Sequence, residues 1–255
     1  MRLILVLLSF SLLSSCATNS SSMESKSKVN PREYQVGAYL WLQTSGEYRA
    51  LVYQAYNIAR ERVERDLEDK HNRKRAVIFD IDETILDNSF GGADEIQKGL
   101  SWKDNKFAEW VKSRKAIAIP GTVDFVKFLT DRQVEIFYIS NRKVEWFEDT
   151  HANLIKAGFP VKKENLLLMG AVQSKEERRQ SVLKKYDVVL YVGDNLTDFP
   201  GGFEKTSVEV RNALTDKMKA DFGRKLIMLP NPMYGDWERA LPMDKERIDL
   251  LKNAP

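Results

Sequence analysis

Short, continuous apolar runs alternate along the chain with segments in which apolar residues recur at helical spacing. Continuous runs of this kind are typical of strands buried on both faces of a parallel sheet, and they cover residues 76–81, 134–140, 165–169, 188–193 and 226–229. Helical spacing marks the intervening residues 122–130, 144–157 and 176–185. The alternation predicts right-handed βαβ units and an α/β fold with a doubly wound parallel sheet.

Two helical segments are predicted outside this alternation. Before the first strand, apolar residues recur at helical spacing from Tyr48 to Leu67, and residues 44–47 can form a capping box. Residues 87–118 are too long for a loop, and their large apolar side chains indicate helix: Trp102, Phe107, Trp110 and Val111.

These segments suggest how the domain is divided. We expect a small helical cap formed by residues 34–71 and 87–118, and an α/β core at about residues 72–86 and 119–240. The folded domain as a whole is expected to span residues 31–255.

The beginning of the chain has the pattern of a targeting segment. Residues 1–15 are predicted to be a signal peptide, because the apolar run from Leu3 to Leu13 is too short to cross a bilayer as a helix. The sequence Leu13-Ser14-Ser15-Cys16 resembles a bacterial lipobox, in which the cysteine is acylated, and Cys16 is the only cysteine. The alternative is a secretory signal with an incidental cysteine. Residues 16–30 are predicted to be a flexible tether. Together with the lipobox, they lead us to expect a lipid-anchored protein of the cell envelope, at the outer membrane or in the periplasm.

Composition excludes several classes of protein. The 255 residues are 43% hydrophobic and 30% charged, which is typical of a folded globular chain and not of a disordered, collagenous or polytopic membrane protein. Lys and Arg total 40 against 37 Asp and Glu, and the charges alternate in sign, so nucleic-acid binding is not indicated. A lipid anchor is therefore the only membrane attachment that we expect.

Polar residues follow three of the predicted strands, at the edge where open parallel sheets bind ligands. They are Asp80, Asp82, Ser140, Asn141, Asp194 and Asp198, and the helix before the last of these strands begins with Lys175. Four carboxylates brought together would repel one another, and a divalent cation would relieve that repulsion. Oxygen ligands of this kind suit Mg²⁺, and a hydroxyl with a lysine suits a bound phosphate.

The order of these motifs resembles the four-motif signature of the haloacid-dehalogenase superfamily. The motifs are Asp-x-Asp-Glu-Thr at residues 80–84, Ser-Asn-Arg at residues 140–142, a lysine, and Gly-Asp-Asn-x-x-Asp at residues 193–198. We assign the lysine to Lys175 because two arginines follow it, but spacing alone also allows Lys184.

Further segments resemble the bacterial class C acid phosphatases, which are lipoproteins of similar length. The resemblance covers most of residues 34–240, and its most specific segments are residues 42–49, 119–121, 138–142, 193–199 and 234–238. It implies a haloacid-dehalogenase-like fold and a phosphomonoesterase or 5′-nucleotidase. Phosphomonoesters, above all nucleoside 5′-monophosphates, are the expected substrates, and the resemblance also implies a homodimer.

The resemblance also implies roles for the residues. Asp80 would attack phosphorus, and Asp82 would act first as the acid and then as the base. One Mg²⁺ would be bound by the carboxylates of Asp80 and Asp194 and by the backbone carbonyl of Asp82. Asp198 would hold a metal-bound water or orient the lysine. Phosphate binding is assigned to Ser140, Asn141 and Lys175.

Two aromatic residues are candidates for contacts beyond the phosphate. The resemblance places Phe107 and Tyr234 where they could sandwich a nucleobase. The alternative is that both rings simply pack the cap against the core.

The rival function is a surface adhesin or haem-binding lipoprotein that uses a degenerate phosphatase fold. A degenerate phosphatase fold should have lost at least one residue of the four motifs, yet these residues are all present: Asp80, Asp82, Ser140, Lys175 and Asp194. Histidine ligands are also scarce, since the chain has only His71 and His151, both expected to be solvated helix residues.

Overall fold

The computed structural model describes residues 30–101, 106–242 and 244–252. The strands within these ranges are β1 (Arg75–Phe79), β2 (Leu86–Asp87), β3 (Ile117–Ala118), β4 (Glu135–Lys143), β5 (Leu166–Met169), β6 (Asp187–Gly193) and β7 (Leu226–Met228). The α-helices are α1 (Val36–Thr44), α2 (Gly46–Asp66), α3 (Ser89–Gln97), α4 (Phe107–Ser113), α5 (Thr122–Asp131), α6 (Phe147–Lys156), α7 (Lys175–Leu183), α8 (Val208–Lys217) and α9 (Asp236–Arg239).

Five of the strands form one parallel sheet in the order β5-β4-β1-β6-β7. Both faces of the central strand β1 are covered. Val77 and Phe79 belong to an apolar cluster with α2 and α5, whereas Ala76 and Ile78 belong to a second cluster that includes α7. The doubly wound parallel sheet predicted from the apolar runs is therefore confirmed.

The strand ends decide where the polar residues lie. Each of the five predicted runs coincides with a strand, but β1 ends at Phe79, and Asp80 is the first residue beyond it. The Asp80 backbone N–H still donates to the Val192 carbonyl at 2.9 Å, which holds this aspartate against β6. β4 continues to Lys143, three residues past its predicted end, so residues 140–142 are extended backbone.

The long predicted helix is α2, and its start differs from the expectation. Ser45 is the N-cap, and its Oγ accepts from the Tyr48 backbone N–H at 3.1 Å. Thr44 instead ends α1, with its hydroxyl donating to the Leu40 carbonyl at 2.6 Å, so the capping box predicted at residues 44–47 is wrong. No helix in the described ranges is both long and apolar enough to cross a bilayer.

The packing of α2 corrects the predicted division into cap and core. The helix lies against β6, β7 and α5, so it covers one face of the sheet. Residues 46–66 therefore belong to the core layers, although residues 34–71 were expected in the cap. An amphipathic pattern shows that one helix face is buried, but it does not show which element covers that face.

The cap consists of α1, α3, α4 and the antiparallel pair β2-β3, with α1 packed on α3 and α3 on α4. The prediction that residues 87–118 carry helix is confirmed by α3 and α4. Two glycines of α3 allow its neighbours to come close. A Cβ on Gly91 would lie 2.6 Å from the Trp110 ring of α4, and one on Gly92 would overlap the Tyr39 hydroxyl of α1.

A short segment before α1 ties this cap to the loop after β7. Arg32 is almost fully buried and forms an ion pair with Glu95 of α3 at 2.7 Å. Its Nε donates to Gln35 Oε1, and Gln35 Nε2 donates in turn to the Met233 carbonyl at 2.7 Å. These bonds hold the cap and the loop as two walls of one cleft.

Candidate active site

The cleft under the cap has a volume of about 330 Å³ and lies at the carboxyl ends of β1, β4 and β6. It brings together nearly every residue singled out from the sequence: Asp80, Asp82, Phe107, Ser140, Asn141, Lys175, Asp194, Asp198 and Tyr234. A larger cavity of about 790 Å³ lies at the opposite edge of the sheet and contains none of them. Parallel sheets bind ligands at the carboxyl edge, so the smaller cleft is the candidate active site.

Three buried carboxylates form the floor of the cleft. One oxygen each from Asp80, Asp194 and Asp198 lies within 4.8 Å of the others. Burial raises the pKa of Asp80, and burial together with the nearby Asp198 charge raises the pKa of Asp194 to about 7. A divalent cation would relieve this repulsion, and the all-oxygen donor set fits a hard cation such as Mg²⁺.

Asp194 and Asp198 are fixed by further hydrogen bonds. Thr84 Oγ1 and Asn231 Nδ2 donate to the two Asp194 oxygens at 2.9 and 2.8 Å. The Asn195 backbone N–H donates to Asp198 Oδ2 at 2.8 Å. The carboxylates are therefore oriented by protein donors before any ligand arrives. Thr84 belongs to the Asp-x-Asp-Glu-Thr motif, which does not by itself predict this contact, and no sequence pattern indicates Asn231.

Lys175 bridges two of these carboxylates. Its Nζ lies 2.5 Å from both Asp80 Oδ1 and Asp198 Oδ1, and the side chain is buried. Burial opposes its charge, but the Asp198 and Asp80 carboxylates outweigh that effect and raise the pKa of Lys175. Lys184, the alternative allowed by spacing, is exposed at the end of α7. Lys175 is therefore the lysine that lies in the cleft.

Asp82 points to a different group of partners. Arg142 Nε and Nη2 lie 2.9 and 2.8 Å from Asp82 Oδ1, and Asn88 Nδ2 donates to the same oxygen at 2.9 Å. Ser140 Oγ donates to Oδ2 at 3.3 Å. The Asp82 carboxylate therefore lies outside the acidic triad and is held at the cap side of the cleft. Arg142 belongs to the Ser-Asn-Arg motif, which does not by itself predict this contact, and no sequence pattern indicates Asn88.

A buried arginine supports the end of β4, which carries Ser140 and Asn141. Arg178 Nη1 donates to the carbonyls of Ser140 and Leu167 at 2.5 and 2.9 Å, and Nη2 donates to Asn141 Oδ1 at 2.8 Å. Burial lowers the pKa of Arg178 to about 10, although the Asp80 charge opposes that change. The Asn141 side chain is thus turned toward α7. Arg178 lies one helical turn after Lys175, which is the sequence signal that could have identified it.

Aromatic rings line the outer part of the cleft. Phe107 and Tyr234 are both half-buried, and Tyr234 also packs against the main apolar cluster. Phe107 meets Trp146 edge to face at a centroid distance of 6.0 Å, and the Arg142 guanidinium lies 5.7 Å from the Phe107 ring centre. Trp146 also lines the cleft and was not singled out from the sequence.

The histidines do not enter this cleft. Both ring nitrogens of His71 lie 3.2 Å from carboxylates, those of Asp66 and Asp187, in the turn after α2. His71 is therefore not the helix residue that was expected. His151 lies on α6 and stacks on Phe147.

Comparisons with known proteins agree with this arrangement. The family model of the acid phosphatases in haloacid-dehalogenase subfamily IIIB matches residues 6–237. The solved class C acid phosphatase from Bacillus anthracis is 40% identical, with a TM-score of 0.84 over 89% of this chain and 100% of that chain. A solved class C acid phosphatase from Bacillus anthracis with tungstate bound gives a TM-score of 0.85 at 40% identity, over 89% of this chain and 100% of that chain.

Two curated plant proteins are more distant relatives. A stem 31 kDa glycoprotein of Glycine max is 29% identical over 170 residues, which cover 62% of this chain and 58% of that protein. A stem 28 kDa glycoprotein of Glycine max is 27% identical over 201 residues, which cover 75% of this chain and 69% of that protein. The chain thus spans only part of the length of these plant relatives.

Proposed function

Because the chain belongs to the acid phosphatases of haloacid-dehalogenase subfamily IIIB, we propose that it hydrolyses phosphomonoesters through an aspartyl-phosphate intermediate. The observation that carries the proposal is the meeting of Lys175 with the carboxylates of Asp80 and Asp198 on the cleft floor. Tungstate, bound in the Bacillus anthracis relative, is a tetrahedral oxyanion like phosphate. That likeness supports an oxyanion-binding site in this chain.

In the first half-reaction an Asp80 oxygen attacks the phosphorus atom. The bond from phosphorus to the ester oxygen breaks as the new bond to Asp80 forms. The departing oxygen takes a proton from Asp82, which is held above the cleft floor by Arg142. The alcohol leaves, and the phosphoryl group remains on Asp80.

The second half-reaction restores the enzyme. Asp82, now ionised, takes a proton from a water molecule, and the water oxygen attacks the phosphorus atom. The bond between phosphorus and Asp80 breaks, and inorganic phosphate leaves. The proton on Asp82 returns it to the acid form for the next ester.

Charge on the phosphoryl oxygens is offset by donors in the cleft. We assign this role to Lys175, to the Ser140 hydroxyl and to Asn141, which is exposed near the end of β4. A single Mg²⁺ held by Asp80, Asp194 and the Asp82 carbonyl would add positive charge at the same oxygens. Asp198 orients Lys175 in this scheme and can also hold a water on the metal.

For the substrate we propose nucleoside 5′-monophosphates. The cleft extends from the acidic floor to Phe107 and Tyr234, and both rings border the same space. Base–aromatic stacking contributes on the order of 1–3 kcal/mol per base, which would favour a nucleotide over a small alkyl phosphate.

We also propose that the protein is anchored in the cell envelope through a lipid on Cys16, at the outer membrane or in the periplasm. Cys16 and the signal peptide at residues 1–15 lie outside the described residues. The lipobox-like sequence before Cys16 supports the anchor. A homodimer is proposed on the family resemblance alone.

The direct test of the proposed function is hydrolysis of p-nitrophenyl phosphate at acidic pH. We expect turnover with Mg²⁺, loss of turnover in excess EDTA, and recovery when Mg²⁺ is added back. The Asp194→Asn variant removes one charge of the acidic triad and is expected to need more Mg²⁺ for the same rate. Equal rates with Mg²⁺ and with EDTA would contradict the metal-dependent part, and no hydrolysis by the wild type would contradict the proposed activity.

A further inference from the structure

We infer that Asn88 is a positioning residue for Asp82 and that Trp110 of the cap keeps Asn88 in its working orientation. Asn88 precedes α3 and is buried. Its Nδ2 donates to Asp82 Oδ1 at 2.9 Å, and its Oδ1 accepts from Trp110 Nε1 at 2.8 Å and from Arg142 Nη2 at 3.2 Å. The inference rests on the proposed role of Asp82 as acid and base.

The chemistry of the neighbours fixes which way the Asn88 amide points. An indole N–H and a guanidinium can only donate, so the Asn88 group facing them must be the oxygen. The amide nitrogen then faces Asp82, where it can only donate. Turning the amide over would set donors against donors at Trp110 and leave the Asp82 oxygen facing the amide oxygen.

The backbone around Asn88 is restrained as well. Its N–H donates at 2.9 Å to the Glu83 carboxylate, which is buried. Glu83 itself has a φ of 57°, in the left-handed region that is costly for a residue with a side chain. The Glu83 side chain therefore spans the segment between β1 and α3 and holds Asn88 in place.

These contacts distinguish the two oxygens of Asp82. Oδ1 receives the close donors from Arg142 and Asn88. Oδ2 receives only longer contacts of 3.3 Å, from Ser140 Oγ and Arg142 Nε. Oδ1 is thus occupied by Arg142 and Asn88, which together with Trp110 we call the clamp. Oδ2 is the oxygen that carries the proton to and from the reacting groups.

The clamp also connects Asp82 to the cap. Trp110 lies on α4, whereas Arg142 lies on β4, and Asn88 receives a hydrogen bond from each. If α4 moves away, Asn88 loses the closer of the two donors to its amide oxygen and keeps only the longer contact from Arg142. The donor from Asn88 to Asp82 is then less firmly oriented, so proton transfer depends on the cap being in place.

The test compares two esters whose leaving groups differ in their need for a proton. p-Nitrophenolate leaves without protonation, whereas the alkoxide of glycerol phosphate needs the acid. Trp110→Phe keeps most of the ring and removes the Nε1 donor, and Asn88→Asp keeps the shape and removes the donor to Asp82. For both variants we expect kcat/KM, which reports only the steps up to departure of the alcohol, to fall at least about tenfold more on glycerol phosphate than on p-nitrophenyl phosphate. The weakened base of the second half-reaction lowers kcat on both esters alike, so kcat alone does not test the inference.

Two reference variants accompany them. Asp82→Asn should show the same selective loss in a stronger form. Trp41→Phe removes an indole donor on α1, outside the cleft and the clamp, and should leave both rates unchanged. If Trp110→Phe does not fold, Asn88→Asp alone still tests the inference.

The outcomes separate this inference from the proposed function. If the wild type hydrolyses both esters, equal losses of kcat/KM on the two, or no loss, would overturn the positioning role and leave the phosphatase assignment standing. A wild type that hydrolyses neither ester would overturn both.

Discussion

Lys175 Nζ lies 2.5 Å from Asp80 Oδ1, although 95 residues separate the two in the chain. The first strand and the start of α7 meet here because the sheet order places β1 between β4 and β6. The same ammonium group also contacts Asp198 at 2.5 Å. The Lys175 ammonium group thus links the proposed nucleophile Asp80 to Asp198, another carboxylate of the cleft floor.

Removing this cation is expected to impair both binding and turnover. Lys175→Ala leaves the buried carboxylates without their counter-charge and removes a donor to the phosphoryl oxygens, so kcat should fall by about 10²–10³ and KM should rise. Lys184→Ala, on the exposed end of the same helix, is the matched control and should be nearly silent. Steady-state kinetics on p-nitrophenyl phosphate measure both. A silent Lys175→Ala would contradict the assignment.

The aromatic pair is expected to affect nucleotides selectively. Phe107→Ala and Tyr234→Ala should each raise KM for a nucleoside 5′-monophosphate by about tenfold, because a stacked ring is lost. KM for a small alkyl phosphate should change much less, since that substrate has no ring. Phe90→Ala, on an exposed face of α3, is the control. Equal losses on both substrates together with a lower Tm would show that the rings hold the fold and not the base.

The lipid anchor has its own prediction. Cys16→Ala should abolish incorporation of radioactive palmitate and leave the protein unprocessed or soluble. Ser15→Ala keeps a small residue before the cysteine and should still be labelled. Labelling of the Cys16→Ala protein would show that the anchor is elsewhere or absent.

Much of the fold could be predicted because buried parallel strands are continuous apolar runs, and the five strands coincide with those runs. The proximity of the polar candidate residues could be predicted for a related reason, since polar side chains directly after such strands converge at one edge. The choice between Lys175 and Lys184 could not be made from spacing. It required the contact with Asp80, which the fold alone provides.

The clamp on Asp82 could not be predicted from local pattern. Asn88 and Trp110 are 22 residues apart and Asn88 and Arg142 are 54 residues apart, and a single asparagine before a helix is an ordinary capping residue. The predicted placement of α2 in the cap was wrong for a similar reason. Its apolar face indicated burial, but only the sheet packing shows that β6 and β7 cover it.

The central claim is that Asp80 becomes phosphorylated, and trapping the phosphoenzyme tests it most directly. Enzyme mixed with p-nitrophenyl phosphate is quenched in acid, reduced with borohydride, which converts an aspartyl phosphate to homoserine, and sequenced by peptide mass spectrometry. We expect homoserine at position 80, more of it in Asp82→Asn, because the base that releases phosphate is lost, and none in Asp80→Asn. Product formation with no homoserine at position 80, or with homoserine at another aspartate, would contradict the account.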